Sequence, residues 1–201
     1  MRALRGFYFL YYGSVAALLS YFAPYLRGLG FSGAEIGAAF APAQMVAGPA
    51  ALLWGAAADR LGAASRALRL CTAGAFCCMA FALVARTPLQ IGALLFAHSL
   101  FNAGTVPLVD SITMEITNAR GESYARTRVV GSLGFVLVAQ ALGLWLSARG
   151  DRLADPLVPR SMVVLVGAMA AAALFVPGLP AHPARPRQRD AASLLRGPLP
   201  F

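Results

Sequence analysis

Long uncharged runs alternate with short charged segments along this chain of 201 residues. Six runs contain no Asp, Glu, Lys or Arg, and they cover residues 6–26, 36–58, 70–85, 87–109, 129–148 and 161–184. A helix rises about 1.5 Å per residue, so about 20 apolar residues cross the hydrocarbon core of a bilayer. Five runs reach this length directly, and the third reaches it if Arg69 extends its charged head toward the interface. The pattern predicts six transmembrane helices over 6–26, 36–58, 67–85, 88–114, 128–148 and 159–178.

The number and order of these helices predict an all-α membrane protein built from two three-helix repeats. Helices one to three and four to six form triplets of opposite orientation, because each triplet contains an odd number of spans. Inverted repeats of this kind occur in secondary transporters. We expect residues 1–180 to form one six-helix transmembrane domain and residues 181–201 to form a cytoplasmic Pro/Arg-rich linker and the start of a seventh helix. The end at Phe201 is then expected to be that of a fragment or a truncated gene product.

The composition excludes a soluble enzyme and a disordered chain. Only 12% of the residues are charged and the mean hydropathy is +0.67, whereas soluble domains contain roughly a quarter of charged residues. So few charges cannot cover the water-facing surface of a globule of this size. The three cysteines, Cys71, Cys77 and Cys78, lie in one apolar segment without neighbouring histidines, which fits neither a disulfide framework nor a zinc site. We expect no metal and no cofactor.

The placement of the arginines predicts the orientation. All 17 basic residues are arginine, and the net charge is +9. With a cytoplasmic N-terminus, 12 arginines lie in inside segments and 5 in outside loops, so the positive-inside rule places both termini in the cytoplasm. The chain is expected to be a multi-pass protein of a bacterial inner membrane, with the lipid bilayer rather than nucleic acid as its partner. Tyrosines and phenylalanines at both ends of helix one are typical of interfacial belts.

Asp110 is the one acid that topology does not explain. It ends an uncharged run of 23 residues, so it lies within or close to the membrane, where an acid faces a water-filled cavity or a basic partner. At about 100° per residue, five polar residues of helix four share an arc of about 140°: His98, Asn102, Thr105, Asp110 and Thr113. This face should line the interior and bind substrate or pass protons, unless Asp110 only pairs with Arg128 to lock two helices. His98 by itself is more often a hydrogen-bonded interior histidine than a proton carrier.

The loop after helix two carries a recognisable motif. It resembles the G-x-x-x-D-R/K-x-G-x-R/K signature of the major facilitator superfamily. The residues assigned to the motif are Gly55, Asp59, Arg60, Gly62 and Arg66, which lies two positions beyond the last place of the pattern. Glycine permits close packing and a tight turn, and the carboxylate of Asp59 can receive cationic donors or helix N-terminal amides. The resemblance implies a conformational latch, although residues 63–65 lack the usual basic side chains. The alternative is an ordinary positive-inside loop.

A second set of motifs resembles the branch of that superfamily that contains lactose permease and the 3-phenylpropionate transporter. Asp110 lies late in helix four, and Arg128 begins helix five ahead of Gly131 and Ser132; in that branch the corresponding acid and arginine pair. The resemblance covers nearly the whole chain but only the N-terminal half of such a twelve-helix transporter. Phe135 stands where the sugar transporter has a substrate-stacking tryptophan, and the loss of the indole N–H favours an aromatic acid or similar solute over a sugar.

The resemblance implies a transporter and not an enzyme: proton-coupled symport of an aromatic acid, a nucleoside or a sugar-like solute by alternating access. The implied substrate and proton site consists of five residues: Asp110, Arg128, Asn102, His98 and Phe135. Much of the family's proton-coupling machinery lies in the C-terminal half, so transport needs a second six-helix half or self-association. A non-transporting six-helix module is the alternative. An intramembrane serine protease is a remote one, because Ser132 and His98 are expected to lie too far apart for a nucleophile and its base.

Overall fold

The computed structural model describes residues 1–150 and 154–177, and within them every regular element is a helix. Six helices of this part of the chain are long and apolar enough to cross a membrane: α1 Arg2–Gly28, α2 Gly33–Leu61, α3 Ala64–Leu83, α4 Pro88–Arg120, α5 Tyr124–Ala148 and α6 Leu157–Leu174. The prediction of an all-α fold with six membrane-length helices is confirmed. The linker and the seventh-helix start expected at 181–201 lie outside the described residues.

Both ends of α2 are fixed by caps. At the start of α2, the Ser32 Oγ accepts a hydrogen bond from the Glu35 amide (3.2 Å), and the Glu35 carboxylate accepts one from the Ser32 amide (2.8 Å). Such a capping box satisfies amides that have no partner inside the helix. The other end of α2 stops at Gly62, whose φ of 63° lies in the left-handed region that favours glycine. Both ends of α2 therefore lie beyond the uncharged run 36–58.

The packing of the helices repeats between the two triplets. Helix α1 packs against α5 and α6, while α4 packs against α2 and α3. The first helix of each triplet thus packs against the second and third helices of the other triplet. The last helices of the triplets, α3 and α6, pack against each other. This arrangement confirms the predicted pair of three-helix repeats.

The first helix of each triplet is interrupted near its middle. Helix α1 is regular over Arg2–Ala17 and then forms a π-helical turn, Leu18–Phe22. Helix α4 is regular over Pro88–Asn102, and its second segment, Thr105–Arg120, starts after two intervening residues. Pro107 has no amide hydrogen to donate to the carbonyl of Ala103, so the regular bonding pattern cannot continue through this point. The two segments of α4 can therefore face different neighbours.

Two glycines bring α5 close to α1. A Cβ atom on Gly134 would overlap the main chain of Phe9, and a Cβ atom on Gly131 would overlap the ring of Tyr12. Small residues allow membrane helices to approach in this way. The start of α5 is consequently held against the first turns of α1, which places Arg128 beside the tyrosines of that helix.

Candidate functional site

Asp110 of α4 and Arg128 of α5 form an ion pair. The Arg128 Nη1 donates to both carboxylate oxygens of Asp110 at 2.7 Å. The pair is partly buried, since the side chains of Arg128 and Asp110 keep 37% and 24% of their surface exposed. A pair of this kind can exchange contacts with a polar group that arrives from the exposed side.

Three tyrosines frame the ion pair, and we refer to Tyr8, Tyr12 and Tyr124 as the tyrosine cluster. The Tyr8 hydroxyl donates to the Asp110 Oδ1 at 2.6 Å. The Tyr12 hydroxyl accepts from the Arg128 Nη2 at 2.7 Å, and the Tyr124 hydroxyl accepts from the Nη1 at 3.0 Å. The Arg128 guanidinium carbon also lies 5.6 Å from the centre of the Tyr12 ring, within the range of a cation–π contact.

Helical spacing explains how three separate helices supply this site. Tyr8 and Tyr12 are four residues apart on α1, so they lie on one face, and their rings stack with centroids 6.5 Å apart. Tyr124 and Arg128 have the same spacing on α5. On α4 the Oγ1 of Thr113, three residues after Asp110, lies 3.2 Å from the Tyr8 hydroxyl. Each helix therefore contributes two neighbouring polar side chains.

The ion pair combines acceptor and donor capacity on its exposed side. The carboxylate of Asp110 is charge-balanced by Arg128 and can accept a proton or a hydrogen bond. The Nε–H of Arg128 makes no hydrogen bond within the described part of the chain, and a guanidinium has five N–H donors in a planar fork. Chemically, the site can bind the hydroxyl or carboxylate groups of a small solute.

The other predicted site residues do not join the ion pair. His98 is 6% exposed, and its Nδ1 lies 3.1 Å from the carbonyl oxygen of Ala75 on α3. Asn102 interacts with the Tyr11 hydroxyl, and Phe135 is half-buried on α5. The helix is interrupted between Asn102 and Thr105, so the polar residues expected on one face of α4 lie on two helical segments. His98 faces α3, whereas Asp110 faces α1 and α5.

The loop motif is exposed at the end of α2. Gly62 ends the helix and donates to the Asp59 carbonyl at 3.3 Å. The side chains of Asp59, Arg60 and Arg66 are exposed, and Gly55 has open space beside it. Within the described residues, the Asp59 carboxylate has no hydrogen-bond or ion-pair partner.

The tyrosine cluster is the part of the site that sequence reasoning missed. Tyr8 and Tyr12 were expected in an interfacial belt, but Tyr8 is fully buried and both hydroxyls bind the ion pair. Tyr124 was expected in a loop, since the predicted fifth helix began at residue 128, whereas α5 begins at Tyr124. The available signal was spacing: a tyrosine pair at i and i+4, and a tyrosine four residues before Arg128.

The geometry does not support the protease alternative. Ser132 is exposed on α5, while His98 is buried against α3. No hydrogen bond joins them in the described structure, and a nucleophile needs its base within such reach.

A six-helix bundle of inverted repeats with a charged pair between its helices defines the class of secondary-transporter folds. Residues 1–190 match the MFS_1 like family, and the chain belongs to this family of the major facilitator superfamily. Membership of a transporter family agrees with the prediction that the chain is not an enzyme.

Two solved structures show the same fold. A crystal structure of the nucleoside transporter NupG carrying an aspartate-to-alanine mutation matches with a TM-score of 0.82 at 20% identity. A crystal structure of NupG without this mutation matches with a TM-score of 0.78 at 19% identity. Each match covers 96% of this chain and 50% of NupG, so the chain spans about half the length of that transporter. A comparison with curated protein sequences found no match.

Proposed function

We propose that the chain forms one half of a transporter that moves a small organic solute across the membrane, with the Asp110–Arg128 ion pair as its polar contact. The ion pair and its tyrosine cluster carry this proposal. Charged groups inside a membrane bundle cost desolvation energy, and such groups typically mark solute or proton pathways. Here the pair is held by hydroxyls from α1 and α5 yet keeps part of its surface exposed.

The proposed solute is a ring compound with hydroxyl or carboxylate groups. The Nε–H of Arg128 is available as a donor, and the half-buried ring of Phe135 offers an apolar face on the same helix. NupG, which shares the fold, is a nucleoside transporter. An aromatic acid, a nucleoside and a sugar-like solute all combine these features. The proposed mechanism is proton-coupled symport, because an acid inside a membrane bundle typically marks a solute or proton pathway.

Transport by alternating access requires a second six-helix unit, either a second half or another copy of this chain. In α2 and in α5, only 17% of the apolar 18-residue segment that could cross the membrane is buried inside the bundle. The corresponding share in the other four helices is 33–44%. Large apolar side chains project from α2 and α5, such as Leu52 (78% exposed) on α2 and Leu144 (73% exposed) on α5. These faces suit packing against a second unit, and the unpartnered Asp59 suits a latch between two units. The match to half of NupG supports the same arrangement.

The test of the ion pair is uptake into proteoliposomes under an imposed proton gradient. A labelled nucleoside and a labelled aromatic acid are supplied to the chain alone and to the product of the complete reading frame that contains it. We expect uptake only where a second six-helix unit is present. Asp110→Asn should then reduce proton-driven uptake by about 10-fold or more, because a hydrogen bond to a charged group contributes about 1.5–3 kcal/mol.

Glu122→Gln is the matched control, since Glu122 is an exposed acid in the connection between α4 and α5. This variant should transport normally. Normal proton-driven uptake by Asp110→Asn would remove Asp110 from the mechanism. Solute binding without uptake, in every form of the protein, would instead favour a non-transporting membrane module.

A further inference from the structure

A groove of about 530 Å³ lies between α3 and α4, where α3 ends and α4 begins. Cys77 and Phe81 line it on α3, Val84 lines it directly after the end of α3, and Ala93 and Ala97 line it on α4. The end of α3 changes to a 3₁₀-helical turn at Phe81–Leu83, and the small alanines of α4 leave space opposite it. Gln90 is the only lining residue with a polar amide or charged side chain, so the groove suits hydrocarbon.

A fixed positive charge sits beside one end of this groove. The Arg86 guanidinium donates to the carbonyl oxygens of Ala85 at 2.8 Å and of Leu83 at 3.1 Å, which holds it close to the rim. The Arg86 amide donates to the side chain of Gln90, a lining residue, at 2.8 Å. Arg86 is exposed and has no carboxylate partner among the described residues. The amino end of α4 adds a partial positive charge at the same place.

We propose that the groove binds one acyl chain of an anionic phospholipid whose phosphate group pairs with Arg86. Its volume lies within the range of about 300–1,000 Å³ typical of small-molecule sites. From Cys77 to Phe81 the helix rises by about 6 Å, so the apolar wall runs beside a lipid tail for several methylene groups. A second protein copy is a poorer occupant, because stable interfaces involve about 20–30 residues a side and nine residues line this groove.

The phosphate contact is tested by native mass spectrometry of the delipidated protein. The protein is titrated with phosphatidylglycerol and with phosphatidylcholine of the same acyl chains. Wild type should bind the first phosphatidylglycerol about fivefold more tightly, the effect expected of one arginine near a lipid headgroup. Arg86→Gln should abolish this difference. Arg27→Gln, which removes another exposed arginine from the end of α1, should preserve it.

The acyl-chain contact is tested by filling the groove. Ala97→Phe should weaken binding of both lipids, whereas Ala171→Phe, at an exposed alanine of α6, should leave binding unchanged. A second measurement needs no variant in the groove. Phosphatidylglycerol should slow alkylation of Cys77 by an apolar maleimide, and Arg86→Gln should remove this protection.

Three results would overturn the proposal. The first is an equal loss of the preference for phosphatidylglycerol in Arg86→Gln and in Arg27→Gln, which would show that the overall positive surface charge causes the preference. Cys77 could be alkylated at the same rate with and without lipid. A dimer lost in Ala97→Phe but not in Ala171→Phe would assign the groove to a second copy. None of these results bears on solute transport, which depends on a different part of the bundle.

Discussion

At the scale of single residues, the tyrosine hydroxyls add hydrogen bonds that stabilise the ion pair beyond the attraction of its own charges. An exposed ion pair contributes about 0–1 kcal/mol, and this pair is only partly buried. A hydrogen bond to a charged group contributes about 1.5–3 kcal/mol. Asp110 receives one from Tyr8, and Arg128 donates one each to Tyr12 and Tyr124. The orientation of both charged side chains therefore depends on the tyrosine cluster.

Removal of one hydroxyl should destabilise the bundle while leaving the ring in place. Tyr8→Phe and Tyr12→Phe should each lower the free energy of unfolding by about 1.5–3 kcal/mol, because each deletes a hydrogen bond to a charged group. Thermal or denaturant unfolding in detergent measures this change. The control is Tyr25→Phe, since Tyr25 is buried and stacked on Phe22 without a hydrogen bond from its hydroxyl in the described structure. Equal effects of all three substitutions would contradict a role for the hydroxyls.

At the scale of helices, the contact between α1 and α5 sets the position of the site. Gly134 meets the main chain of Phe9, which cannot turn aside as a side chain could. Gly131, one turn earlier, meets the ring of Tyr12, a member of the tyrosine cluster. The distance between the two helices and the geometry around Arg128 are thus linked. The interruption of α4 has a comparable effect, since it directs Asp110 toward α1 while His98 packs against α3.

Gly134→Ala should force α1 and α5 apart. Overpacking of a tight contact costs about 1–3 kcal/mol, and we expect a loss of unfolding free energy in this range. The matched substitution is Gly37→Ala on α2, where a Cβ atom would meet nothing within 4 Å. This control should gain about 0.5–1 kcal/mol, because alanine is the better helix former. A neutral Gly134→Ala variant would show that the two helices are not in close contact.

At the scale of the whole molecule, charge and apolar surface define how the bundle lies in a membrane. The 12 to 5 distribution of arginines predicts that both termini are cytoplasmic. With that orientation, the ion pair lies toward the cytoplasmic ends of α1, α4 and α5, and Arg86 lies at the outer surface. The apolar faces of α2 and α5 are the most exposed of the bundle, which fits the second six-helix unit that we propose.

Cysteine labelling in cells tests this orientation. A cysteine in place of Leu29, between α1 and α2, should react with a membrane-impermeant maleimide in intact cells. A cysteine in place of Glu122, between α4 and α5, should react only after permeabilisation. The unmodified chain is the control, because Cys71, Cys77 and Cys78 lie within α3. The reverse labelling pattern would invert the topology.

The sequence by itself determined the properties that depend on one helix at a time. Each span needs about 20 apolar residues whichever helices it packs against, so hydropathy predicted six helices. Their number and order then predicted two three-helix repeats of opposite orientation. An acid within such a run is costly, which singled out Asp110, and the motif resemblance supplied Arg128 as its partner.

Only the tertiary structure decided which side chains meet that pair. Tyr8 lies 102 residues from Asp110 in sequence, and Tyr12 lies 116 residues from Arg128. Such contacts depend on the rotation, depth and separation of neighbouring helices, which the close approach at Gly131 and Gly134 sets. His98 packs against α3 while Asp110 meets α1, because the two positions lie about 120° apart around α4 and the helix is interrupted between them. Hydropathy measures the preference of a segment for lipid, and it contains no information on which face of one helix touches another.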